Sequence, residues 1–434
     1  MLKYTFILAL AGTALSSPVF AETLTIATVN NGDMIRMQGL ADEFTAQNPD
    51  IDLQWVTLEE NELRSRVTTD IATNGGQYDI LTIGTYETPI WAKLGWLKPL
   101  EGLGADYDAD DLLPAIRDAV SYEGKLYASP FYAESSLLMY RTDLFEKAGL
   151  VMPEGGPDWA FVSDAAHKIN DPANGIAGIC LRGKAGWGEN MALVTAIANS
   201  YGAKWFDENW NPQFDTEKWQ QAANFYVDLL RETGPAGAAS NGFNENLTLF
   251  QQGKCGMWLD ASVAASFVSD PRNSTVADKV DFALSPNANG GANRGNWLWA
   301  WTLAIPSSST KAEAAEKFIS WATNKQYLEL VASKEGWANV PPGTRASLYA
   351  NPEYSAAAPF ADITLEAINA ANQGKPDTQY PAWGYVIIPE YQSIGTEVGM
   401  LFSAAVAGQT PTADVLSQAQ EVTKREMTRA GYIK

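Results

Sequence analysis

From Glu22 onward the chain switches between two hydrophobic periodicities. Leu24 and Ile26 alternate with Thr23 and Thr25, the period-two pattern of a strand. Asn30, Asn31, Gly32 and Asp33 form a turn, with Asp33 placed to cap a helix whose inner face carries Met37, Leu40, Ala41 and Phe44. Asn48 and Pro49 end that helix, because a residue before proline is pushed out of the helical region. Ile51, Leu53 and Trp55 alternate as a second strand, Leu63, Val67 and Ile71 recur every four residues as a second helix, and Asp79 to Ile83 is a third strand. The order β-α-β-α-β predicts a parallel sheet with right-handed crossovers.

A second alternation begins past the loop Pro153 to Pro157. Asp158 caps a helix carrying Val162, Ala165, Ala166 and Ile169, and the strand Ile176 to Leu181 follows. Later, Phe250 to Lys254 closes a helix before the apolar strand Cys255 to Leu259. Two extended runs, Tyr127 to Tyr140 and Trp297 to Pro306, exceed the usual strand length and read as crossings between the two α/β units. Units joined by more than one crossing share a hinge instead of hanging from a linker. We therefore expect an N-terminal lobe of residues 22–131 plus 303–355 and a C-terminal lobe of residues 132–302 plus 356–434. Helices are expected at Ala312 to Thr323, Gln326 to Ser333, Ala361 to Asn372 and Thr412 to Arg429.

In open α/β sheets, ligands sit beyond the carboxyl ends of the strands, where loops and helix N-termini converge. That rule selects Asn30, Asn31 and Asp33 after the first strand, and Gly84, Thr85, Tyr86 and Glu87 after the third. In the second unit it selects Arg182 and Trp187, in the Gly-punctuated loop to Asn190, and Asp260. Asp33, Arg182 and Asp260 each have a structural reading beside the ligand-binding one, whereas Asn31 and Tyr86 have none. Asp33 can be an N-cap, Arg182 can hold Glu189 or another acid, and Asp260 can cap a helix starting at Ala261. Trp297, Trp299 and Trp301 share one strand face, while Trp205, Trp210 and Trp219 are assigned to packing.

Composition removes several functions. The 434 residues hold 30 Lys plus Arg against 51 Asp plus Glu, a net charge of −21 that offers nothing to a nucleic acid. His167 is the sole imidazole, so a two-His zinc site cannot form and a catalytic relay would need that residue. No metal and no cofactor are expected. Met1-Leu2-Lys3, the apolar run Tyr4 to Leu15, and Val19 and Ala21 at the small-residue positions form a signal peptide cut after Ala21. No later segment is apolar for the roughly 18 residues that a membrane helix needs. Export to an oxidising compartment leaves a Cys180–Cys255 bond open, which sequence cannot decide.

Three motifs carry a family resemblance. Gly124-Lys-Leu-Tyr-Ala-Ser-Pro130, Tyr140-Arg-Thr-Asp-Leu-Phe-Glu-Lys-Ala-Gly149 and Phe250-Gln-Gln-Gly-Lys-Cys-Gly-Met257 resemble the family 1 extracellular solute-binding proteins of ATP-driven carbohydrate importers. The resemblance implies a two-lobed periplasmic-binding-protein fold, each lobe a mostly parallel sheet with flanking helices. It further implies a monomer in the periplasm, closing on a solute and docking on membrane permease subunits. The opening Thr28 to Met37 is similar to the sorbitol and mannitol binders, a narrower likeness. Glu134 lies where maltose-type members place a hinge carboxylate that accepts sugar hydroxyls, and Trp337 and Trp383 fall near the family's remaining aromatic contacts. Asp260 stands where such members carry a Trp-bearing Gly-Pro stretch, a departure that exchanges a flat platform for a carboxylate.

A neutral polyhydroxylated solute needs carboxylates and amides that bond twice, a bidentate Arg, and aromatic planes against its C–H edges. Asn31, Glu134, Arg182 and Asp260 supply the first set; Tyr86, Trp187, Trp299 and Trp337 supply the second. Changing Arg182 to Ala is expected to weaken binding with little effect on the empty fold. The competing reading is an exported carbohydrate-active enzyme, a glycosidase or lyase, for which 51 acids provide many carboxylate pairs.

Overall fold

The computed structural model describes residues 21–288, 290–291, 293–371, 380 and 383–434. Residues 1–20 of the expected signal segment lie outside them. In chain order the main strands are β1 (Glu22–Val29), β2 (Ile51–Leu58), β3 (Ile80–Gly84), β4 (Ala128–Glu134), β5 (Ser136–Arg141), β6 (Ala177–Cys180), β7 (Cys255–Ala261), β8 (Val280–Leu284) and β9 (Trp299–Ala304). They form two sheets, β2-β1-β3-β9-β4 and β8-β5-β7-β6.

β1 pairs in parallel with β2 and β3, as the opening alternation predicts. β9 then runs antiparallel to both β3 and β4, and β5 antiparallel to both β7 and β8, while β6 and β7 are parallel. The sheets are thus mixed where mostly parallel ones were expected. The cause is the crossing chain itself, which enters each sheet against the direction of its neighbours. β3 is buried over its whole length, so it reads as a continuous apolar run and not as an alternation.

The run Tyr127 to Tyr140 breaks at Ser135. β4 ends in the first sheet at Glu134 and β5 starts in the second at Ser136, with Ser262 N–H donating to the Ser135 carbonyl at 2.7 Å. β9 belongs wholly to the first sheet, so the boundaries expected at 131/132 and 302/303 fall inside β4 and β9.

The first predicted helix is two, α1 (Gly32–Gly39) and α2 (Asp42–Gln47). Its cap is Asn31, whose Oδ1 accepts from Met34 N–H, and not Asp33, which is buried in the first turn and paired with Arg36. α3 (Glu60–Ala72) follows β2. Asp158 caps Trp159–Ile169 as expected, accepting from Phe161 N–H at 2.8 Å. The predicted helices at Ala312–Thr323 and Thr412–Arg429 occur with those bounds. Cys180 and Cys255 are bonded, with Cα atoms 5.8 Å apart, tying β6 to β7. Among the described residues, no helix is long and apolar enough to cross a membrane.

Candidate functional site

The carboxyl ends of strands from both sheets face one another across a cleft with two connected chambers. The polar chamber, about 110 Å³, is lined by Asn31, Glu60, Tyr132, Glu134, Arg182 and Glu189 among others. The aromatic chamber, about 40 Å³, is lined by Trp187, Trp297, Trp299, Trp301, Trp383 and Tyr385. Glu60, Glu134, Arg182 and Trp301 border both, so the chambers form one continuous site.

Arg182, just past β6, is the organising charge of the polar chamber. Its Nε donates to both Asp260 oxygens at 3.1 and 3.0 Å, Nη2 to Asp260 Oδ1 at 2.7 Å, and Nη1 to the Gly188 carbonyl at 3.0 Å. Nη1 also reaches Glu189 at 3.4 Å and Glu60 at 4.0 Å. Asp260 additionally accepts from Trp258 Nε1 and Ala261 N–H, and is fully buried. It lies inside β7 and caps no helix; both of its oxygens hold Arg182 in place behind the chamber wall. Of the two readings of Arg182, the acid-holding one is present, with Asp260 as the main acid.

Carboxylates dominate the remaining wall. Burial pushes the Glu189 carboxyl up to about 8, with Glu60 adding to the rise and Arg182 and Lys184 opposing it. Burial also raises Glu134 well above the usual carboxylate range, against the pull of Arg182, with Asp260 and Glu60 reinforcing the rise. Asn31 donates through Nδ2 to the Tyr132 hydroxyl at 2.5 Å, fixing the amide at the chamber floor.

The aromatic chamber is built around Arg64 of α3. Its guanidinium lies 4.1 Å from the Trp187 ring centroid and 4.7 Å from those of Trp299 and Trp301. Ion pairs at 2.9 Å to Glu60 and to Glu87 keep it there. Glu87 Oε2 in turn accepts from Gly84 N–H at 2.9 Å. Residue 84 must be glycine, because a Cβ would stand 2.0 Å from Trp299 Cζ2. Trp187 is buried and its Nε1 has no partner among the described residues.

The mouth of the cleft is shut by contacts between the lobes. Lys184 pairs with Glu59 at 2.6 Å, Asn61 donates to the Ala185 carbonyl at 3.1 Å, and Arg272 pairs with Glu335 at 3.0 Å.

The chain is thus a two-lobed frame with mixed sheets and a closed site between the lobes. The model of the bacterial extracellular solute-binding proteins matches residues 31–329. The chain belongs to that family. This solute-binding protein is 55% identical to the mannitol-binding protein of Pseudomonas aeruginosa over 433 residues, 98% of each chain. It resembles the crystal structure of an ABC transporter solute-binding protein from Agrobacterium vitis with bound D-mannitol, at 63% identity and a TM-score of 0.93, covering 95% of this chain and 100% of that one. A solute-binding protein from Agrobacterium radiobacter in complex with ribitol matches at 25% identity and a TM-score of 0.83, covering 94% and 100%.

Of the residues selected from sequence, the solute-binding protein brings Asn31, Glu134, Arg182, Trp187 and Trp299 to the chamber walls. Asp260 stands behind Arg182. Tyr86 lies one layer behind Trp187, their ring centroids 4.6 Å apart, with its hydroxyl donating to the Ile388 carbonyl at 2.9 Å. Trp337 is half-buried in a short turn and lines neither chamber; its neighbour Asn339 accepts from Arg36 across its carbonyl at 2.9 Å. Sequence reasoning passed over Glu60, Arg64, Tyr132 and Lys184, and named Glu189 only as an acid for Arg182 to hold. The strand-end rule applied to β2 would have found Glu60, since Leu58 ends that strand, and Tyr132 shares a strand face with Glu134.

Proposed function

We propose that this protein captures a neutral acyclic polyol, mannitol or a close hexitol, between its lobes in the periplasm and passes it unchanged to the permease of an ATP-driven importer. The observation that carries the reading is the junction of the two chambers at Glu60, Glu134 and Arg182, where acceptors for hydroxyls adjoin a wall of indole faces. The ligands named for the Pseudomonas and the two Agrobacterium relatives support it. Closure adds contacts from the second lobe to a solute seated on the first, so the solute stabilises the closed form by its differential affinity.

Calorimetric titration with D-mannitol, D-sorbitol, ribitol and maltose tests this reading. One-to-one binding of a hexitol, tighter than that of maltose, with the solute recovered intact, is the expected result. Binding of none of them, or conversion of any, defeats it. The relatives are solute-binding proteins and not enzymes, and absence of catalysis in this chain is part of the proposal. Export with cleavage after Ala21 is tested by the mass of the periplasmic protein, which should begin at Glu22.

A further inference from the structure

The polar chamber contains cations, yet among the described residues each is already paired with a carboxylate. Arg182 commits Nε and Nη2 to Asp260, and Nη1 to the Gly188 carbonyl and Glu189. Lys184 is held by Glu59 at 2.6 Å and faces Glu189 at 3.6 Å. Arg64, at the border of the aromatic chamber, is paired with Glu60 and Glu87. Against these stand Glu59, Glu60, Glu134, Glu189 and Glu245 in the chamber wall. Glu134 differs from the rest. It is 5% exposed, borders both chambers, and forms no ion pair among the described residues, while Arg182 spends its pairs on Asp260 and Glu189. Trp187 supplies an independent sign that a polar solute belongs here, since it is buried at the chamber wall with an indole N–H that has no partner among the described residues.

A closed site of this kind resists its own negative charge, for burial and mutual repulsion favour the protonated forms of Glu134 and Glu189. A carboxylate or phosphate on the solute would add to that repulsion in a medium of low dielectric, with no uncommitted guanidinium or ammonium to offset its desolvation. An ammonium on the solute meets the opposite situation. It can replace the proton on Glu134 and form the ion pair that this carboxylate lacks.

We propose that the cleft selects by charge, with Glu134 as the specificity-determining residue: it admits neutral alditols and alditols bearing one ammonium group, and it rejects aldonates and alditol phosphates. This rests on the polyol reading above. The side chains that enforce the rejection are those already engaged, because releasing Arg182 to an anion would strand Asp260 in the core.

The test is a titration of the full chain at pH 7.5 with D-mannitol, 1-amino-1-deoxy-D-mannitol and D-mannonate, repeated with Glu134→Gln. The amino alditol should bind within tenfold of mannitol or more tightly, and mannonate at least 100-fold more weakly. In Glu134→Gln the affinity ratio of amino alditol to mannitol should fall at least tenfold. If that variant binds nothing, the wild-type ratios alone decide. Mannonate binding within tenfold of mannitol, or an amino alditol bound no better than mannonate, overturns the proposal and leaves the polyol reading standing. Failure of all three solutes removes both.

Discussion

The two halves of the cleft are put together differently. In the polar chamber the cations and most of the acids already have protein partners, Arg182 with Asp260, Lys184 with Glu59 and Glu60 with Arg64, while Glu134 has no ion pair among the described residues. The aromatic chamber is organised by one guanidinium facing three indoles, and one of those indoles keeps an N–H without a partner among the described residues. The polar half is therefore a prestressed frame whose remaining lone pairs, chiefly on Glu60, Glu134 and Glu189, are what a solute meets. The aromatic half is a shaped wall with one unspent donor. Disturbing the buried pairs of the first should cost stability and binding together, whereas disturbing the second should separate them.

Arg182→Ala is the largest test of that contrast. Asp260 has no solvent exposure, so loss of its guanidinium partner leaves a buried, uncompensated charge at a cost of about 3 to 5 kcal/mol. The earlier expectation of a nearly intact empty fold gives way to this, and urea unfolding of the empty protein should show it. Adding Asp260→Asn should recover part of the stability and none of the affinity. An Arg182→Ala protein as stable as the parent would show that the frame is not under charge stress.

The pH dependence is next in size. The Glu189 carboxyl has an ordinary value of 4.5 and reaches about 8 in the closed site, with burial the main cause and Glu60 of the facing lobe the second. The closed form therefore binds more protons than an open one in which Glu189 is solvated. Below pH 4.5 both are protonated and binding is flat; between 4.5 and about 8 closure weakens as pH rises; above that it is flat again. The slope is at most about tenfold in Kd per pH unit. Glu134 is pushed in the same direction, so Glu189→Gln should flatten the profile without abolishing it. A profile that rises with pH would reverse the sign of the argument.

The two halves were also unequally legible in the sequence. Local periodicity gave β1, β2 and α3, because those elements are held by their own apolar faces, a short apolar run gave β3, and strand-end geometry then led to Asn31, Arg182 and Trp187. The alternation Trp297, Trp299, Trp301 pointed to one face, and all three indoles line the aromatic chamber. What stayed hidden depends on partners distant in the chain. Tyr86 follows β3 as the rule requires, yet the segment carrying Ile388 and Tyr391 covers it. Asp260 reads as a terminal cap until the register of β7 against β5 pairs it with Leu137 inside the sheet. The break of one helix into α1 and α2 left only a weak local signal, Gly39, since the Leu40 and Ala41 that follow it are good helix formers.

Trp187→Phe addresses the aromatic half alone. Phenylalanine keeps a ring beneath Arg64 and deletes a donor that has no partner among the described residues, so unfolding should shift by no more than about 1 kcal/mol, the scale of the weakened cation–π contact. If the bare N–H serves a solute hydroxyl, Kd should rise about fivefold, the worth of one hydrogen bond. Unchanged affinity with unchanged stability would mean that the donor faces no solute, and the wall would then act by shape only.

The smallest expected effect lies at the mouth, where the polar half meets water. Lys184 and Glu59 retain 25% and 39% exposure, so their 2.6 Å pair is screened by solvent and contributes at most about 1 kcal/mol to the closed form. Because Glu59 belongs to the first lobe and Lys184 to the second, the pair exists only on closure. Lys184→Ala should leave the unfolding of the empty protein unchanged and accelerate solute release about two- to fivefold, most visibly at low ionic strength. Stopped-flow release in 20 mM and 500 mM salt separates this role from that of the frame. A variant whose release rate matches the parent in both salts would show that the mouth is held by the Asn61 amide and by the Arg272–Glu335 pair, and that the charges at the rim of the polar chamber serve only to keep Arg182 and Glu189 in place.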